Sequence, residues 1–205
     1  MKTVIIESQN IVPSKIICIG RNYVEHIAEL GNEIPDEMVV FNKPNSAIST
    51  KLNSYHQEQL HYEGELCFMV KDGDFSAVAF GLDLTKRDLQ SKLKAKGLPW
   101  ERAKAFNGSA VFSDFVKINK SDINEKLSLE LTIDEKIIQR GSIELMMYKP
   151  AEILVELKTY TDLNDGDIVM TGTPKGVGGI NKGAHFKGRI FIGSQELVSM
   201  YWVAS

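Results

Sequence analysis

The chain has 205 residues and a formal net charge of −3, with 43% hydrophobic and 25% charged residues. This length allows one domain or at most two, and we expect a single domain over residues 1–205. Without a basic field, the composition argues against a nucleic-acid partner or an anionic membrane surface. No stretch approaches the ~20 apolar residues of a membrane-spanning helix, so we expect no membrane partner.

The two cysteines, Cys18 and Cys67, both lie in apolar runs, KIICIG and ELCFMV. Such surroundings favour buried free thiols in a reducing compartment over a disulfide framework. The opening residues, MKTVIIESQN, turn polar after a short apolar run that is too short for a secretory signal. We therefore expect a cytoplasmic protein.

The first half of the chain predicts strands with one short helix among them. After the first strand, NYVEHIAELG predicts a helix with Asn22 as its N-cap, Glu25 as the capping partner and Gly31 as its stop, and the polar connection NEIPDEM follows. A turn is predicted at NKPNS and another at KDGD. The predicted strands are KIICIG (15–20), VVF (39–41), YEGELCFMV (62–70) and SAVAFGLDLT (76–85).

The second half predicts two longer helices, a hairpin and further strands. Thr85 is the predicted cap of the helix KRDLQSKLKAK, with Asp88 as its capping partner, and Gly97 and Pro99 follow its end. LSLELTIDEKIIQRGSIELMMY alternates around DEK and predicts a hairpin, whereas PAEILVELKTYTDL has helical spacing. The remaining predicted strands are IVMTG after the turn NDGD, GRIFIG and ELVSMYWVA. The fold class is therefore mixed α/β and predominantly β.

Two glutamates enter an apolar strand at HYEGELCF. The face that carries Glu63 and Glu65 continues as Cys67, and the opposite face is apolar as well, which indicates a strand covered on both sides. A charge in such a place must be paired or must hold a metal. Asp83 is a third candidate because it ends an apolar strand just before a helix, where open sheets place ligands. His61 shares the glutamates' face, although we expect it at the outer end of the strand.

Three carboxylates favour Mg²⁺, Mn²⁺ or Ca²⁺ over a structural zinc ion, and they leave positions open for a chelating substrate. On one strand, the Cβ atoms of Glu63 and Glu65 would lie roughly 6.5 to 7 Å apart, so that their oxygens can converge on one cation. The alternative interpretation is a solvated strand face, with Asp83 as a residue that merely starts a helix.

The short helix carries a histidine and a glutamate on one face. His26 and Glu29 are three residues apart, and a carboxylate beside an imidazole fixes its tautomer and raises its basicity. This is half of a catalytic dyad, on a helix that can act as a lid. A surface histidine beside a surface glutamate is the alternative.

A glycine-rich segment, TGTPKGVGGINKG, occupies residues 171–183. It fits neither a P-loop nor a dinucleotide-binding fingerprint. Its backbone amides and Thr173 can still bind a substrate oxygen, and a surface loop is the alternative. Lys104 and Arg21 are single cations that, by themselves, are more typical of a surface than of a site.

Six ordered blocks resemble the fumarylacetoacetate hydrolase family, in particular its short acylpyruvase and oxaloacetate decarboxylase-like branch. They extend from about residue 15 to the last strands. The resemblance implies rolled β-sheets around a central metal site, a few peripheral helices and a homodimer. The blocks are IGRNYVEHIAEL, FNKPNSA, YEGEL, GLDLTKRDLQ, KGLPWERAKAFNGSA and LNDGDIVMTGTPKGVG.

The resemblance also implies roles for nine residues. Three would hold Mg²⁺ or Mn²⁺, three would be catalytic and three would bind substrate. The implied metal ligands are Glu63, Glu65 and Asp83; the catalytic residues are His26, Glu29 and Lys104; the substrate-binding residues are Arg21, Gln90 and Thr173.

The implied activity, and our first expectation, is hydrolysis of a carbon–carbon bond in an acylpyruvate-like 2,4-dioxo acid, such as fumarylpyruvate or acetylpyruvate. It would proceed through a metal-stabilised pyruvate enolate, with His26 taking a proton from water. The same enolate serves oxaloacetate decarboxylation and the tautomerisation or isomerisation of a related oxo-acid, such as one of the 2-hydroxyhepta-2,4-diene-1,7-dioate type. These reactions remain alternatives, as does a binding module that kept the fold without activity.

Overall fold

The computed structural model describes residues 1–31, 33–124 and 126–205. Its strands are β1 (Val4–Ile6), β2 (Gln9–Ile11), β3 (Lys15–Gly20), β4 (Val39–Pro44), β5 (Ile48–Ser49), β6 (Leu60–Tyr62), β7 (Gly64–Lys71), β8 (Asp74–Asp83), β9 (Thr85–Lys86), β10 (Ala110–Phe112), β11 (Val116–Lys117), β12 (Leu127–Ile133), β13 (Lys136–Ser142), β14 (Ile168–Met170), β15 (Gly178–Gly179), β16 (His185–Ile192) and β17 (Gln195–Val203). Its α-helices are α1 (Val24–Glu29), α2 (Arg87–Ala95), α3 (Glu101–Lys104) and α4 (Pro150–Leu157). The predicted predominance of strands is confirmed.

A mixed sheet forms the centre of the molecule. Its strands lie in the order β4-β3-β14-β7-β8-β10-β5, and β11 also pairs with β8. β3 and β14 are parallel, whereas β14–β7 and β7–β8 are antiparallel. Every residue of β7 from Gly64 to Val70 is buried, which confirms that this strand is covered on both sides.

The two faces of this sheet pack against separate apolar clusters. Leu66, Phe68 and Val70 of β7 belong to the larger cluster, while Cys67 and Met69 belong to the smaller one. A four-stranded sheet, in the order β13-β12-β16-β17, covers the side of the larger cluster. The alternation of β7 thus divides its side chains between two apolar layers.

Close packing between the sheets depends on a missing side chain. At Gly188 on β16, a Cβ atom would lie only 2.2 Å from the buried ring of Phe80. Glycine therefore allows β16 to approach β8, and the ring of Phe80 also lies 6.1 Å from that of Trp202 on β17.

Three short helices lie near one end of the central sheet. α1 follows β3, α2 follows β9, and α3 precedes β10. A small sheet in the order β15-β6-β9 ties the glycine-rich segment to the strand before β7. In the part of the chain described above, no helix combines the length and apolar character needed to cross a membrane.

Several sequence-based element boundaries are wrong. β4 continues to Pro44, through the predicted NKPNS turn, and the predicted strand over 62–70 is interrupted at Glu63. α4 ends at Leu157, although the predicted helix continues through TYTDL. Asn32, the first residue of the predicted polar connection, lies outside the described residues.

Both predicted helix caps are also wrong. Asn22 instead donates hydrogen bonds to the carbonyls of Tyr148 and Thr171, and it accepts one from the Tyr148 amide at 2.7 Å. Thr85 lies in β9, where its hydroxyl bonds to the Asp83 carbonyl at 3.2 Å. In both cases a tertiary or strand partner replaces the expected helix-capping partner. The predicted hairpin at DEK, formed by β12 and β13, is confirmed.

Candidate functional site

The candidate site is a cleft at the end of the central sheet, covered by α1 and walled by α2. The cavity that it encloses is about 40 Å³, well below the volume of an ordinary ligand pocket, so the cleft is nearly closed in this structure. The lining residues are Ile19, Gly20, Arg21, His26, Leu30, Phe41, Glu63, Glu65, Asp83, Arg87, Gln90, Lys94, Trp100, Lys104, Gly172 and Thr173.

The β7–β8 hairpin places three carboxylates together. Beyond the Asp72–Gly73 turn, a bulge at Ser76 shifts the pairing by one residue, from Val70 opposite Phe75 to Met69 opposite Ala77. The shifted register continues to Gly64 opposite Leu82. It therefore brings Asp83 level with Glu63, and the Asp83 amide donates to the Glu63 carbonyl at 2.9 Å. Opposed residues of an antiparallel pair share a face, so both carboxylates point into the cleft.

Glu63, Glu65 and Asp83 each contribute a carboxylate oxygen to a group in which all three oxygens lie within 4.8 Å of one another. All three residues are buried. We call this group the carboxylate triad. Buried carboxylates at such spacing repel one another and require neighbouring cations.

Three buried or half-buried cations contact the triad. Lys104 Nζ lies 2.8 Å from Glu63 Oε2 and 2.7 Å from Asp83 Oδ2. Lys43 Nζ lies 2.7 Å from Asp83 Oδ1, and the Arg87 guanidinium donates to Glu63. Glu65 is held differently, since it accepts a hydrogen bond from the backbone amide of Gly172 at 2.8 Å.

The charges of the triad are unevenly balanced. Burial opposes the ionisation of Glu63, but Lys104 and Arg87 outweigh it, so the pKa of Glu63 lies well below its ordinary value. Burial, together with the charges of Asp83 and Glu63, raises the pKa of Glu65 well above its ordinary value. Lys104 keeps a raised pKa despite its burial because Asp83 and Glu63 stabilise its charged form.

This donor set fits a hard divalent cation. Oxygen-rich carboxylate sites are typical of Mg²⁺ and Mn²⁺, and three convergent carboxylates leave coordination positions for other oxygen ligands. Burial first, and then the charges of Asp83 and Glu63, raise the pKa of Glu65, so its ionised form needs more positive charge nearby than Lys104 provides. A divalent ion bound by Glu63, Glu65 and Asp83 would supply the missing positive charge.

His26 lies on α1 above the triad, and Glu29 supports it from the next turn. His26 Nδ1 is 3.3 Å from Glu29 Oε2, and His26 is 6% exposed and lines the cleft. Because a carboxylate accepts a proton donor, this contact favours the tautomer with the proton on Nδ1 and leaves Nε2 as the basic nitrogen. Glu29 also accepts a hydrogen bond from the Gly176 amide at 2.9 Å, which ties α1 to the glycine-rich segment.

The glycine-rich segment is packed into the site. Thr173 is 3% exposed, donates to the Gly64 carbonyl at 2.9 Å and accepts from Gln139 at 2.9 Å. At Gly176, φ is +99° and a Cβ atom would lie 2.3 Å from the Ile138 carbonyl oxygen. Only glycine fits this close approach, which lets the segment reach both Glu29 and the strand β13.

The structure brings the nine residues singled out from the sequence to one place. Eight of them line the cleft, and Glu29 lies directly behind His26. His61, the further ligand candidate, is half-buried in β6 and does not join the triad.

Sequence reasoning missed several residues that line or support the cleft. The sequence predicts a turn at Lys43 and only a helical position for Arg87. Lys43 is completely buried on β4 and pairs with Asp83. A lysine two positions after VVF was the one available signal, because a cation that is buried implies a nearby anion.

Comparison with known proteins identifies the family. The family model described as fumarylacetoacetate (FAA) hydrolase C-terminal matches residues 15–201. The chain therefore belongs to the fumarylacetoacetate hydrolase family, as the sequence blocks suggested, and it is an enzyme of that family by its relatives and its site.

Two curated relatives have names that concern oxaloacetate. The chain is 33% identical to "Oxaloacetate tautomerase oaa1, mitochondrial" from Schizosaccharomyces pombe, over 89% of this chain and 90% of the relative. It is also 33% identical to "Oxaloacetate decarboxylase, mitochondrial" from Dictyostelium discoideum, over 84% of this chain and 87% of the relative.

Two solved structures share the fold. A protein from Oleispira antarctica superposes with a TM-score of 0.94 at 30% identity, covering all of both chains. Fumarylpyruvate hydrolase from Pseudomonas aeruginosa, solved in complex with Mn²⁺ and pyruvate, superposes with a TM-score of 0.87 at 30% identity, covering 100% of this chain and 96% of the other.

Proposed function

We propose that the protein catalyses the keto–enol tautomerisation of oxaloacetate, or of a closely related 2-oxo acid, with Mg²⁺ or Mn²⁺ bound by Glu63, Glu65 and Asp83. The observation that carries this proposal is the buried carboxylate triad beneath a histidine with a carboxylate partner. The names of relatives at 33% identity direct it toward oxaloacetate. Acylpyruvate hydrolysis, our first expectation, therefore takes second place.

The metal would supply Lewis acidity toward the 2-oxo group and the adjacent carboxylate of the substrate. The chain itself would orient the substrate. Lys104 Nζ, which lies between Glu63 and Asp83, provides a positive charge beside the developing enolate oxygen. Gln90 accepts from Arg87 at 2.8 Å, which leaves its amide N–H groups to donate to a substrate oxygen. The Thr173 hydroxyl donates to the Gly64 carbonyl, so Thr173 would bind a substrate oxygen through its backbone amide.

His26 would move the proton. In the keto-to-enol direction, Nε2 would take a proton from C3 and return one to the 2-oxygen, so that no bond between heavy atoms breaks. Glu29 would hold the imidazole ring in the required orientation and stabilise the imidazolium that forms between the two transfers. The reverse direction uses the same groups in the opposite order.

A second candidate, hydrolysis of a carbon–carbon bond, is favoured by the solved fumarylpyruvate hydrolase with Mn²⁺ and pyruvate. In that reaction His26 would take its proton from water instead of from C3. Decarboxylation would use the same charged groups and needs no attacking water. The named relatives include both tautomerase and decarboxylase, so the three reactions must be separated by products.

The experiment compares three product assays on one Mg²⁺-loaded preparation. Enol absorbance measures tautomerisation of oxaloacetate, released CO₂ measures decarboxylation, and loss of acetylpyruvate measures hydrolysis. We expect enol loss to be accelerated well above CO₂ release and hydrolysis, and to disappear in His26→Ala. The exposed His185→Ala variant is the matched control. Faster cleavage of acetylpyruvate than enol exchange would reject the tautomerase proposal in favour of the hydrolase.

Two further expectations stay predictions. The names of the relatives above place them in mitochondria, and cytoplasmic location of this chain is a proposal that fractionation of the source cells would test. A homodimer is proposed from family resemblance, and light scattering of the purified protein would measure it.

A further inference from the structure

The central sheet opens beside Gly64, the residue that separates two members of the carboxylate triad. β14 ends at Met170, and the Thr171 amide then donates to the Leu66 carbonyl of β7 at 3.1 Å. Backbone groups of alternate residues point to the same side of a strand, so the N–H and C=O groups of Gly64 face the same edge as those of Leu66. They therefore need hydrogen-bond partners beyond the end of β14.

The side chains of Gln139 and Thr173 supply these partners. Gln139 Oε1 accepts a hydrogen bond from the Gly64 amide at 2.9 Å, and the Thr173 hydroxyl donates to the Gly64 carbonyl at 2.9 Å. Gln139 Nε2 in turn donates to the Thr173 hydroxyl at 2.9 Å. These three bonds close a circle in which each donor faces an acceptor, and we call it the hydrogen-bonded ring.

Gln139 is committed to this ring and lies behind the described lining of the cleft. Its Nε2 also donates to the Pro174 carbonyl at 2.8 Å, so both hydrogens of its amide group are used. The residue belongs to β13 and is only 1% exposed. Any effect of Gln139 on the site must therefore pass through the groups that it holds.

Two glycines make room for the hydrogen-bonded ring. A Cβ atom at Gly64 would lie 3.0 Å from Gln139 Oε1, and one at Gly141 would lie 2.9 Å from the Pro174 ring. Both distances are shorter than an ordinary contact of about 3.5–4.0 Å. The absence of these two side chains therefore lets β13, β7 and the glycine-rich segment approach closely enough to form the ring.

The ring holds the carboxylate triad at two points. The N–H of Gly64 belongs to the peptide group shared with Glu63, and its C=O belongs to the one shared with Glu65, so the ring fixes the backbone from which both carboxylates extend. Thr173 follows Gly172, whose amide donates to Glu65 Oε2 at 2.8 Å. One side chain on β13 thus anchors both the strand that carries Glu65 and the segment that orients its carboxylate.

We propose that Gln139 is a positioning residue for the metal, and that through the hydrogen-bonded ring it holds Glu63 and Glu65 at the spacing that Mg²⁺ requires. This role rests on the metal site of the proposed function, whichever reaction follows there. Mg²⁺ demands near-octahedral coordination at about 2.0–2.1 Å, whereas Ca²⁺ accepts about six to eight oxygen ligands in a flexible geometry. Loosening the strand that carries the ligands should therefore impair Mg²⁺ binding more than Ca²⁺ binding.

Isothermal titration of the metal-free protein with Mg²⁺ and, separately, with Ca²⁺ tests this role without turnover. Gln139→Met removes the amide group and keeps a side chain of similar length. Thr173→Val opens the ring from its other side and leaves the backbone amide in place, whereas Thr173→Ser keeps the hydroxyl. Asp167→Asn is the control for lost stability, because it disturbs buried hydrogen bonds just before β14, at the end remote from Thr173. Lys136→Gln changes an exposed residue of β13.

We expect Gln139→Met and Thr173→Val each to weaken Mg²⁺ binding by about 10- to 100-fold, the usual effect of losing a group that orients metal ligands. Ca²⁺ binding should weaken by less than about threefold, so that the ratio of the two affinities changes. The double variant should lose little more than either single variant, because each substitution opens the same ring. Thr173→Ser, Asp167→Asn and Lys136→Gln should keep the wild-type ratio.

Equal losses for Mg²⁺ and Ca²⁺ would overturn the proposal, because a protein that is only less stable loses both affinities in proportion. Unchanged Mg²⁺ affinity in both ring variants, or the same change of ratio in Asp167→Asn, would overturn it as well. The two proposals fail separately. If the preference for Mg²⁺ depends on Gln139 but oxaloacetate is not tautomerised, only the proposed function is wrong; if oxaloacetate is tautomerised and Gln139→Met leaves the Mg²⁺ affinity unchanged, only the positioning role is wrong.

Discussion

Replacing Glu65 by glutamine should stabilise the metal-free protein while it weakens metal binding. Glu65 is 2% exposed, and the charges of two other carboxylates reach it. With ligand oxygens up to 4.8 Å apart, each repulsion amounts to about 3 kcal/mol at an effective dielectric constant of about 20. Lys104 attracts Glu65 and offsets part of these two repulsions, although it acts more weakly than either carboxylate. The glutamine oxygen can still accept the hydrogen bond from Gly172, so we expect Glu65→Gln to gain about 2–3 kcal/mol in EDTA.

Mg²⁺ should remove the stability advantage that Glu65→Gln has over wild type in EDTA. A ligand present at 100 times its Kd stabilises the folded state by about 2.7 kcal/mol, and only wild type retains the full triad. Because burial and its carboxylate neighbours raise the pKa of Glu65, the wild-type penalty develops as pH rises from the unfolded pKa of about 4.3 toward the higher folded pKa. The gain in Glu65→Gln should therefore be larger at pH 8.5 than at about pH 5, a direction that follows from proton linkage.

Urea unfolding, with and without Mg²⁺, measures both effects, and the exposed Glu101→Gln on α3 is the matched control. The control should follow wild type in every condition. The reasoning is refuted if Glu65→Gln is less stable than wild type in EDTA, or if Mg²⁺ raises the unfolding free energy of both proteins equally.

Three other substitutions test separate parts of the structure. His26→Ala should lower turnover by about 10²- to 10⁴-fold, as for loss of a general base, and titration should find its Mg²⁺ affinity near that of wild type; a similar loss in both would contradict the assigned role. Asp167 accepts hydrogen bonds from Lys15 Nζ at 2.7 Å and from Ser14 Oγ at 2.6 Å. Asp167→Asn should therefore lower the free energy of unfolding by about 2–4 kcal/mol. Burial raises the pKa of Asp167, but these hydrogen bonds outweigh burial and lower the pKa. In urea unfolding, the difference in unfolding free energy between wild type and Asp167→Asn should therefore shrink as pH falls through that pKa. A difference that stays constant with pH would contradict this account. Gly188→Ala should cost about 1–3 kcal/mol in the same assay through overpacking against Phe80, and a change below about 0.5 kcal/mol would show that the sheets adjust.

The carboxylates of the site could be predicted because their signals are local. Glu63 and Glu65 interrupt an apolar strand, and Asp83 ends the next one. The turn KDGD between these strands is also readable, so that both the hairpin and its charged end follow from adjacent segments. His26 and Glu29 are equally local, since a helix places residues three apart on one face.

The cations and the helix caps could not be predicted in this way. Lys43 is separated by 40 positions from its partner Asp83, and no periodic pattern links the two. Asn22 has the composition of a helix cap, yet its amide group reaches carbonyls of remote segments. A side chain with several possible hydrogen-bond partners is assigned by tertiary packing, which the neighbouring sequence does not contain.

The bulge at Ser76 sets the register of β7 and β8, so the position of Asp83 in the site depends on a feature far from the reacting atoms. It lies about six residues, or about 20 Å, from the carboxylate end of the hairpin. A strand with one apolar and one polar face has its register fixed by that pattern, but β7 is buried on both faces, so its apolar pattern alone does not fix the register. A slip by one residue would turn Asp83 away from Glu63, and it would also turn Phe80 away from its position beside Gly188. The ion pairs at this end of the hairpin therefore favour the observed register, because only that register lets Lys104 contact both Glu63 and Asp83.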